Sequence, residues 1–254
     1  MVLFKTPAEI KIMRQGGAIA AAVMQSLIAR AEMGATLLEL DELARKLIKK
    51  GGARPAFLGY RPAAASRPYP AAICASLNNV IVHGLPTDYK LQDGDLLKID
   101  FGVLYQDYYT DLAVTVGVGR VSSPAKKLMA ATRGALKNAI NVCRSGKRLG
   151  DIGWAIAHYV EARGFNAVHN LIGHGIGRSL HEDPEVFNYG ERGQGLELSP
   201  GMVLAIEPMI SAGSPYIIQL PDESYATADG SLSAHFEQTV AITEAGPRIL
   251  TAPG

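Results

Sequence analysis

The chain has 254 residues, 48% of them hydrophobic and 19% charged, with a formal net charge of +1. That composition is globular and long enough for a sizeable core, and its near-neutral charge excludes the basic footprint of a nucleic-acid or anionic-membrane binder. Cys74 and Cys143 stand far apart with no CxxC spacing, which excludes a disulfide framework and fits a reducing, cytoplasmic setting.

Met1–Ile10 carries neither an apolar leader core nor a cleavage site. The alanine-rich stretch Ala18–Met24 lies between Arg14 and Arg30 and is too short to span a bilayer. Thr6-Pro7-Ala8-Glu9 reads as a helix start, with a Thr cap, Pro at the first helical position and Glu three residues after the cap. The helix is expected to run to about Glu32, with Gly34 breaking it. Thr36-Leu37-Leu38-Glu39 is a second capping box, followed by an apolar stripe of Leu37, Leu40, Leu43, Ala44, Leu47 and Ile48. Lys49 and Lys50 suit the last turn, and Gly51-Gly52 ends it. Pro, Arg and Ala dominate between Pro55 and Pro70, which reads as a surface loop.

The stretch from Gly94 to Gly119 reads as two strands around a polar turn near Tyr105–Asp107. A turn centred between Tyr105 and Gln106 would set Asp100 directly across from Asp111. Opposed carboxylates at that spacing repel unless a shared proton or a metal lies between them. A register slip of one would put them on opposite faces. Either aspartate alone would be read as solvent-facing, but Asp100 interrupts the apolar run Leu96–Val103, where an unpaired charge is costly.

The second half repeats the plan of the first. Ser123-Pro124 opens a helix expected to reach about Arg144, with Gly146 breaking it. A second helix carries Leu149, Ile152, Ile156 and Val160 and ends at Gly164. An offset of 112 residues aligns Gly34 with Gly146, Leu37 with Leu149, Ile48 with Val160 and Gly52 with Gly164. Such a repeat predicts two similar halves, each a helix pair plus sheet, with a site at their junction. No linker divides the chain, so residues 1–254 are expected to form a single domain.

Gly173-His174-Gly175-Ile176-Gly177 sets an imidazole among residues that allow close backbone approach. His181 follows, but Glu185 and Pro184 rule out the HExxH helix of a zinc peptidase. Pro200–Pro208 reads as an apolar strand ending in Glu207, and Ser233–Ile242 as a strand with Glu237 in its middle. If convergent, Asp100, Asp111, His174, Glu207 and Glu237 are too negative for one divalent ion. They suit two ions about 3.5–4 Å apart, which generate hydroxide from water near neutral pH. Mn²⁺, Fe²⁺, Co²⁺ and Zn²⁺ all fit such donors.

These residues carry a family resemblance. His83-Gly84-Leu85-Pro86, Gly94-Asp95 with Ile99-Asp100, Asp111, Gly173–Gly177, His181–Pro184, Ile206–Met209 and Leu232–Ala234 with Glu237 together resemble type I methionine aminopeptidase, in order over nearly the whole chain. The resemblance implies the α/β pita-bread fold, with two pseudo-symmetric halves around a dimetal centre. It implies Asp100, Asp111, His174, Glu207 and Glu237 as metal ligands, with Asp111 and Glu237 bridging. It further implies Glu207 as general base, His181 on the scissile carbonyl and His83 at the substrate amide. Tyr69, Cys74 and Leu180 would line the methionine slot. The implied partners are N-termini of nascent polypeptides, met at the ribosome by a monomer. The chain departs from the family pattern at Leu180, where a Phe is usual. It departs again at Ser224-Tyr225, where a Trp is expected, and in the loop Tyr60–Tyr69. A proline-specific relative (aminopeptidase P or prolidase) would usually carry a further N-terminal domain. A non-enzymatic binding protein on the same fold would have lost ligands, and none is lost here.

Overall fold

The computed structural model describes residues 1–62 and 66–252. In the first half the elements are α1 (Pro7–Arg30), α2 (Leu37–Lys50), β1 (Arg54–Pro55), β2 (Cys74–Leu77), β3 (Val80–Val82), β4 (Leu96–Tyr105) and β5 (Tyr108–Gly117). The second half has α3 (Ser123–Val142), α4 (Leu149–Glu161), β6 (Asn166–Ala167), β7 (Ile172–Gly175), β8 (Glu182–Phe187), β9 (Val203–Ile206) and β10 (Met209–Ser211). It continues through β11 (Ile217–Gln219), β12 (Tyr225–Thr227), β13 (Ser233–His235), β14 (Glu237–Thr243) and β15 (Gly246–Ile249).

Local signals set the helix ends. Thr6 and Thr36 each accept a backbone N–H from a Glu three residues on, and that Glu accepts the cap's own N–H. Ser122 caps α3, with Pro124 in its first turn. The two glycine breaks of each half have matching backbones: φ is +85° at Gly34 and +81° at Gly146, +77° at Gly52 and +78° at Gly164. A Cβ at any of these four would meet nothing within 4 Å, so the constraint is the left-handed backbone itself and not crowding.

One antiparallel sheet runs through both halves in the order β1-β4-β5-β14-β9-β7-β8, with β2 also pairing β4 and β15 also pairing β14. Strand alternation divides its faces. Leu97, Ile99, Phe101 and Val103 of β4 join α1 and α2 in one apolar cluster. Leu204, Ile206, Val240 and Ile242 join α3 and α4 in another. The intervening residues Asp100, Ala205 and Thr239 therefore belong to the opposite face. This is why a carboxylate can interrupt an apolar run without entering the core.

The β4–β5 hairpin turns at Gln106 (φ +47°) and Asp107 (φ +64°). Positive φ at both central residues marks the tight two-residue turn that matches strand twist. It sets Tyr105 opposite Tyr108, one position later than the sequence suggested. Asp100 accordingly faces Ala113, and Asp111 faces Gly102, so the two acids are diagonal and not directly opposed. They remain on one face because the shift is two residues in register.

Three other expectations change. The stretch Ser233–Ile242 is not one strand: it breaks at Phe236, β13 pairing with β10 and β14 with β5 and β9. The loop from Pro55 to Pro70, whose residues 63–65 lie outside those described, is not merely surface. Arg54–Pro55 pairs with Val103–Leu104, Ala56 N donates to Gly102 O, and Tyr69 N donates to Tyr60 O, folding the loop back over the open face of the sheet. Helices α1 and α3 also stop two residues short of their expected ends, at Arg30 and Val142.

Glu9 ties α1 to the site's periphery. Its carboxylate accepts from Thr6 N at 2.7 Å, from the Tyr108 hydroxyl at 2.7 Å and from the Arg178 guanidinium. These bonds, with the Thr6 backbone contribution largest, hold its pKa near 2 against the usual 4.5. A depressed carboxylate stabilises the fold above its unfolded pKa and loses that stabilisation as pH falls through its folded one. Glu9→Gln is expected to lower stability at pH 7 by about 1 kcal/mol, allowing for solvent screening. The gap to the wild type should close between pH 4.5 and pH 2. Thermal melts across that range check it, and a constant gap would contradict it.

Candidate metal centre

Ala113 of β5 is the geometric middle of the acid cluster. Asp100 is its partner on β4 and Glu237 its partner on β14, while Asp111 lies two residues before it on the same face. Three carboxylates thus surround one methyl group. The second half uses the same device: His174 of β7 faces Ala205 of β9, and Glu207 lies two residues beyond Ala205. His174 Nε2 is 3.6 Å from Glu207 Oε1. Four strands and the residue just after a fifth, β9, supply all five predicted ligands, and the structure brings all five together.

Glycines flank His174 because β7 is tightly sandwiched. A Cβ at Gly173 would lie 2.4 Å from Ala205 O, and one at Gly175 would lie 2.1 Å from Asp183 O. No side chain other than hydrogen fits either position.

The acids are deeply enclosed: Asp100 is 8% exposed, Asp111 3% and Glu237 2%. Burial is the main cause that raises every carboxyl pKa in the cluster. Asp100 and Glu207 are each pushed to about 7, and Asp111 and Glu237 well above the usual range by burial and by one another's charge. Asp100 and Asp111 lie close enough to share a hydrogen bond between carboxyls. Asp100 Oδ1 and Glu237 Oε1 are buried with no hydrogen-bond partner. Burial likewise lowers the His174 pKa to about 4, so its imidazole is a neutral donor at pH 7. A concentration of buried anionic oxygens with orphaned acceptors, beside a neutral imidazole, is the donor set a divalent cation compensates. Ligand atoms of Asp111, His174 and Glu237 converge within 4.8 Å of one another, as do those of Glu207, His235 and Glu237.

The cluster forms the floor of a cavity of about 900 Å³. His83, Tyr69, Cys74, Leu180 and His181 all line it. Leu180 and Cys74 are buried in its wall. Tyr69 is fixed by donating to Ile73 O at 3.1 Å and Gly84 O at 2.9 Å. His83 holds φ +63° on the segment after β3, and its ring lies 5.8 Å from that of Tyr225. His181 and His174 rings are 4.3 Å apart, edge to face. His83 and His181 stand deep in the protein but face the open cavity. Burial lowers both pKa values to about 4, with a smaller push from the neighbouring imidazole, His235 for His83 and His83 for His181.

Two residues escaped the sequence reading. Tyr60 meets His181 Nδ1 at 2.6 Å through its hydroxyl. Nothing local marks it, since the contact joins positions 121 residues apart. His235 is buried with Nε2 3.6 Å from Glu207 Oε2. Its position two before Glu237 was a usable signal, since alternate residues of an extended chain share a face.

Among the described residues, no helix is long and apolar enough to cross a membrane. The family model for metallopeptidase family M24 matches residues 11–244. A methionine aminopeptidase of Clostridium perfringens is 44% identical over 99% of both chains. Methionine aminopeptidase 1 of Bacillus subtilis is 43% identical, again over 99% of each. The crystal structure of methionine aminopeptidase from Thermotoga maritima superposes with a TM-score of 0.94 at 41% identity, covering 99% of both chains. Prolidase from Pyrococcus furiosus superposes with a TM-score of 0.78 at 26% identity, and only 66% of its chain is matched. The pseudo-symmetric α/β architecture is the pita-bread fold these proteins share. By a family match that spans most of its length and by full-length relatives above 40% identity, the chain belongs to metallopeptidase family M24.

Proposed function

We propose that this chain is a methionine aminopeptidase, a hydrolase that releases methionine from the N-termini of nascent polypeptides with a small second residue. Residues 1–254 act as one catalytic unit. The observation that carries the reading is an acid and imidazole cluster, drawn from both halves, at the floor of a cavity with an apolar slot. Full-length similarity to proteins named methionine aminopeptidase supports it. The prolidase likeness supports the shared fold, at lower identity and with a third of that chain unmatched.

Asp100, Asp111, His174, Glu207 and Glu237 would hold two divalent ions, their ligand atoms converging at the floor of the cavity. Co²⁺, Mn²⁺, Fe²⁺ and Zn²⁺ are all compatible with these donors. Divalent ions held there would supply Lewis-acid chemistry, a more acidic water and a polarised carbonyl. Glu207 accepts the proton of the attacking water and returns it to the leaving amine. The C–N bond breaks, giving free methionine and a new N-terminus. Tyr60 fixes His181: a hydroxyl donating to Nδ1 places the ring proton on Nε2, directed at the cavity. His181 thereby donates to the carbonyl oxygen as charge develops on it. His83 contacts the substrate amide. Tyr69, Cys74 and Leu180 receive the flexible, polarizable methionine side chain. Nascent chains at the ribosome are the proposed source of the free amino termini it acts on.

The test is kcat/KM for Met-Ala-Ser, norleucyl-Ala-Ser, Leu-Ala-Ser, Met-Lys-Ser and N-acetyl-Met-Ala-Ser. Methionine should rank first, with norleucine close behind, because small differences in an apolar slot are worth only about 1–3 kcal/mol. The Lys and acetyl peptides should be poor. Leu180→Phe is expected to sharpen the preference by narrowing the slot. Efficient cleavage of the acetylated peptide, or no preference for methionine, would leave the metal chemistry and remove the substrate.

A further inference from the structure

His235 stands outside the five-residue ligand set read from the sequence, although its ring converges with Glu207 and Glu237 within 4.8 Å, and its position is tightly specified. Its backbone N donates to Thr115 Oγ1 at 2.8 Å, and Thr115 Oγ1 donates to His235 O at 2.7 Å. The strand β13 that carries it pairs with β10, which follows Glu207 by one proline. The side chain is 1% exposed. Neither ring nitrogen has a hydrogen-bond partner. A buried imidazole with both nitrogens unmet is costly, and such groups concentrate where function requires them.

Glu207 lies between two imidazoles. Oε1 faces His174 Nε2 and Oε2 faces His235 Nε2, each at 3.6 Å. The separation exceeds a hydrogen bond, and closing it takes a movement well under 1 Å. Only one oxygen of Glu207 is needed on the His174 side. The other is left to face His235, whose Nε2 can donate to it when a neutral ring carries its proton there.

We propose that His235 is a positioning residue for Glu207: its Nε2–H donates to Oε2 and fixes which oxygen of the carboxylate is free to exchange protons with the attacking water. The proposal deepens the functional reading above and rests on Glu207 as the proton acceptor. Thr115 completes the device by anchoring the His235 backbone on both sides. The arrangement joins β5, β13 and the end of β9, so the orientation of Glu207 is set by elements of both halves.

The experiment compares His235→Leu, which removes the donor, with His235→Gln, which keeps an N–H at similar reach. Each is measured for kcat and KM on Met-Ala-Ser, for Mn²⁺ binding by calorimetry and for thermal unfolding. His235→Leu should lower kcat by about 10–100-fold, the usual range for a residue behind a metal ligand. Its KM should change by less than about twofold, because substrate contacts are untouched. His235→Gln should recover kcat to within about threefold of the wild type, since the donor is restored. In calorimetry, His235→Leu should bind Mn²⁺ more weakly than His235→Gln. Wild-type kcat and Mn²⁺ affinity in His235→Leu would overturn the proposal, as would equal impairment of the two variants. If His235→Leu does not fold, His235→Asn replaces it: its shorter amide falls short of Oε2, and activity equal to that of His235→Gln overturns the assignment. If the wild type fails to release methionine, the functional reading has failed. The Mn²⁺ affinities of the variants then decide the positioning role alone.

Discussion

Asp111→Asn should abolish metal binding at the paired site and lower activity by more than about 10³-fold, because the activated nucleophile depends on the metal. The substitution is nearly isosteric. It keeps an acceptor for the Leu112 backbone N–H, which Asp111 Oδ1 receives at 2.9 Å, and leaves the backbone bonds to Thr239 intact. What it removes is one of four buried carboxyls, and with it one of the ligands of the proposed metal centre. The metal-free variant should therefore melt at the same temperature as the metal-free wild type or higher, while elemental analysis shows reduced metal content. Full occupancy in Asp111→Asn would sink the dimetal assignment. The same electrostatics sets a pH dependence. Asp100 and Glu207 have folded pKa values near 7, above their usual 3.8 and 4.5. A raised carboxyl binds more protons folded than unfolded, so metal-free stability should fall as pH rises from about 4 to 7 and then level for these two groups. A divalent ion binds the deprotonated forms, so the stabilisation it confers should grow over the same window. Melts with chelator and with Mn²⁺ between pH 4 and 8 measure both slopes. Parallel curves would show that these carboxyls do not hold the ion.

His181→Ala should lower kcat by about 10²–10³-fold, the usual loss for one donor to a developing oxyanion. Metal content should stay near wild type, because His181 Nδ1 is engaged by Tyr60 and its ring meets His174 only edge to face. Tyr60→Phe should give a smaller loss in the same direction. The ring remains but its tautomer and orientation are no longer held, a second-sphere effect of about 10–100-fold at most. If kcat holds in His181→Ala and only KM rises, the residue binds substrate without stabilising charge. If Tyr60→Phe costs as much as His181→Ala, Tyr60 itself touches the reacting groups.

The helices were legible because their signals are local. Thr6 and Thr36 sit three residues before Glu9 and Glu39, and a cap needs only that spacing. The breaks at Gly34, Gly52, Gly146 and Gly164 are equally local, since each demands a positive φ that its own residue supplies. The two-fold repeat followed from the same positions. The identities of the five acid and imidazole residues, and their order along the chain, also needed no structure. Their order carried the family resemblance that the full-length relatives bear out.

What lay beyond local reach was register. Gln106-Asp107 adopts positive φ at both positions without the Asn-Gly pair that announces such a turn, so the hairpin shifted and Asp100 came to face Ala113. Placing Glu237 on the other side of Ala113 required β14 to pair with β5 across more than a hundred residues of chain. Breaking the last strand at Phe236 required β10 as a partner for β13, and the 3.6 Å approach of His235 to Glu207 joins two such separate strand ends. Tyr60 reached His181 because the loop that carries it folds back across the open face of the sheet. The sequence by itself determined which groups could bind a cation and which segments were helical, because capping, backbone strain and side-chain chemistry act within a few residues. Only the tertiary structure decided which oxygens meet and what holds them, because strand pairing and burial are settled by the whole sheet packing one face against four helices and leaving the other to the site.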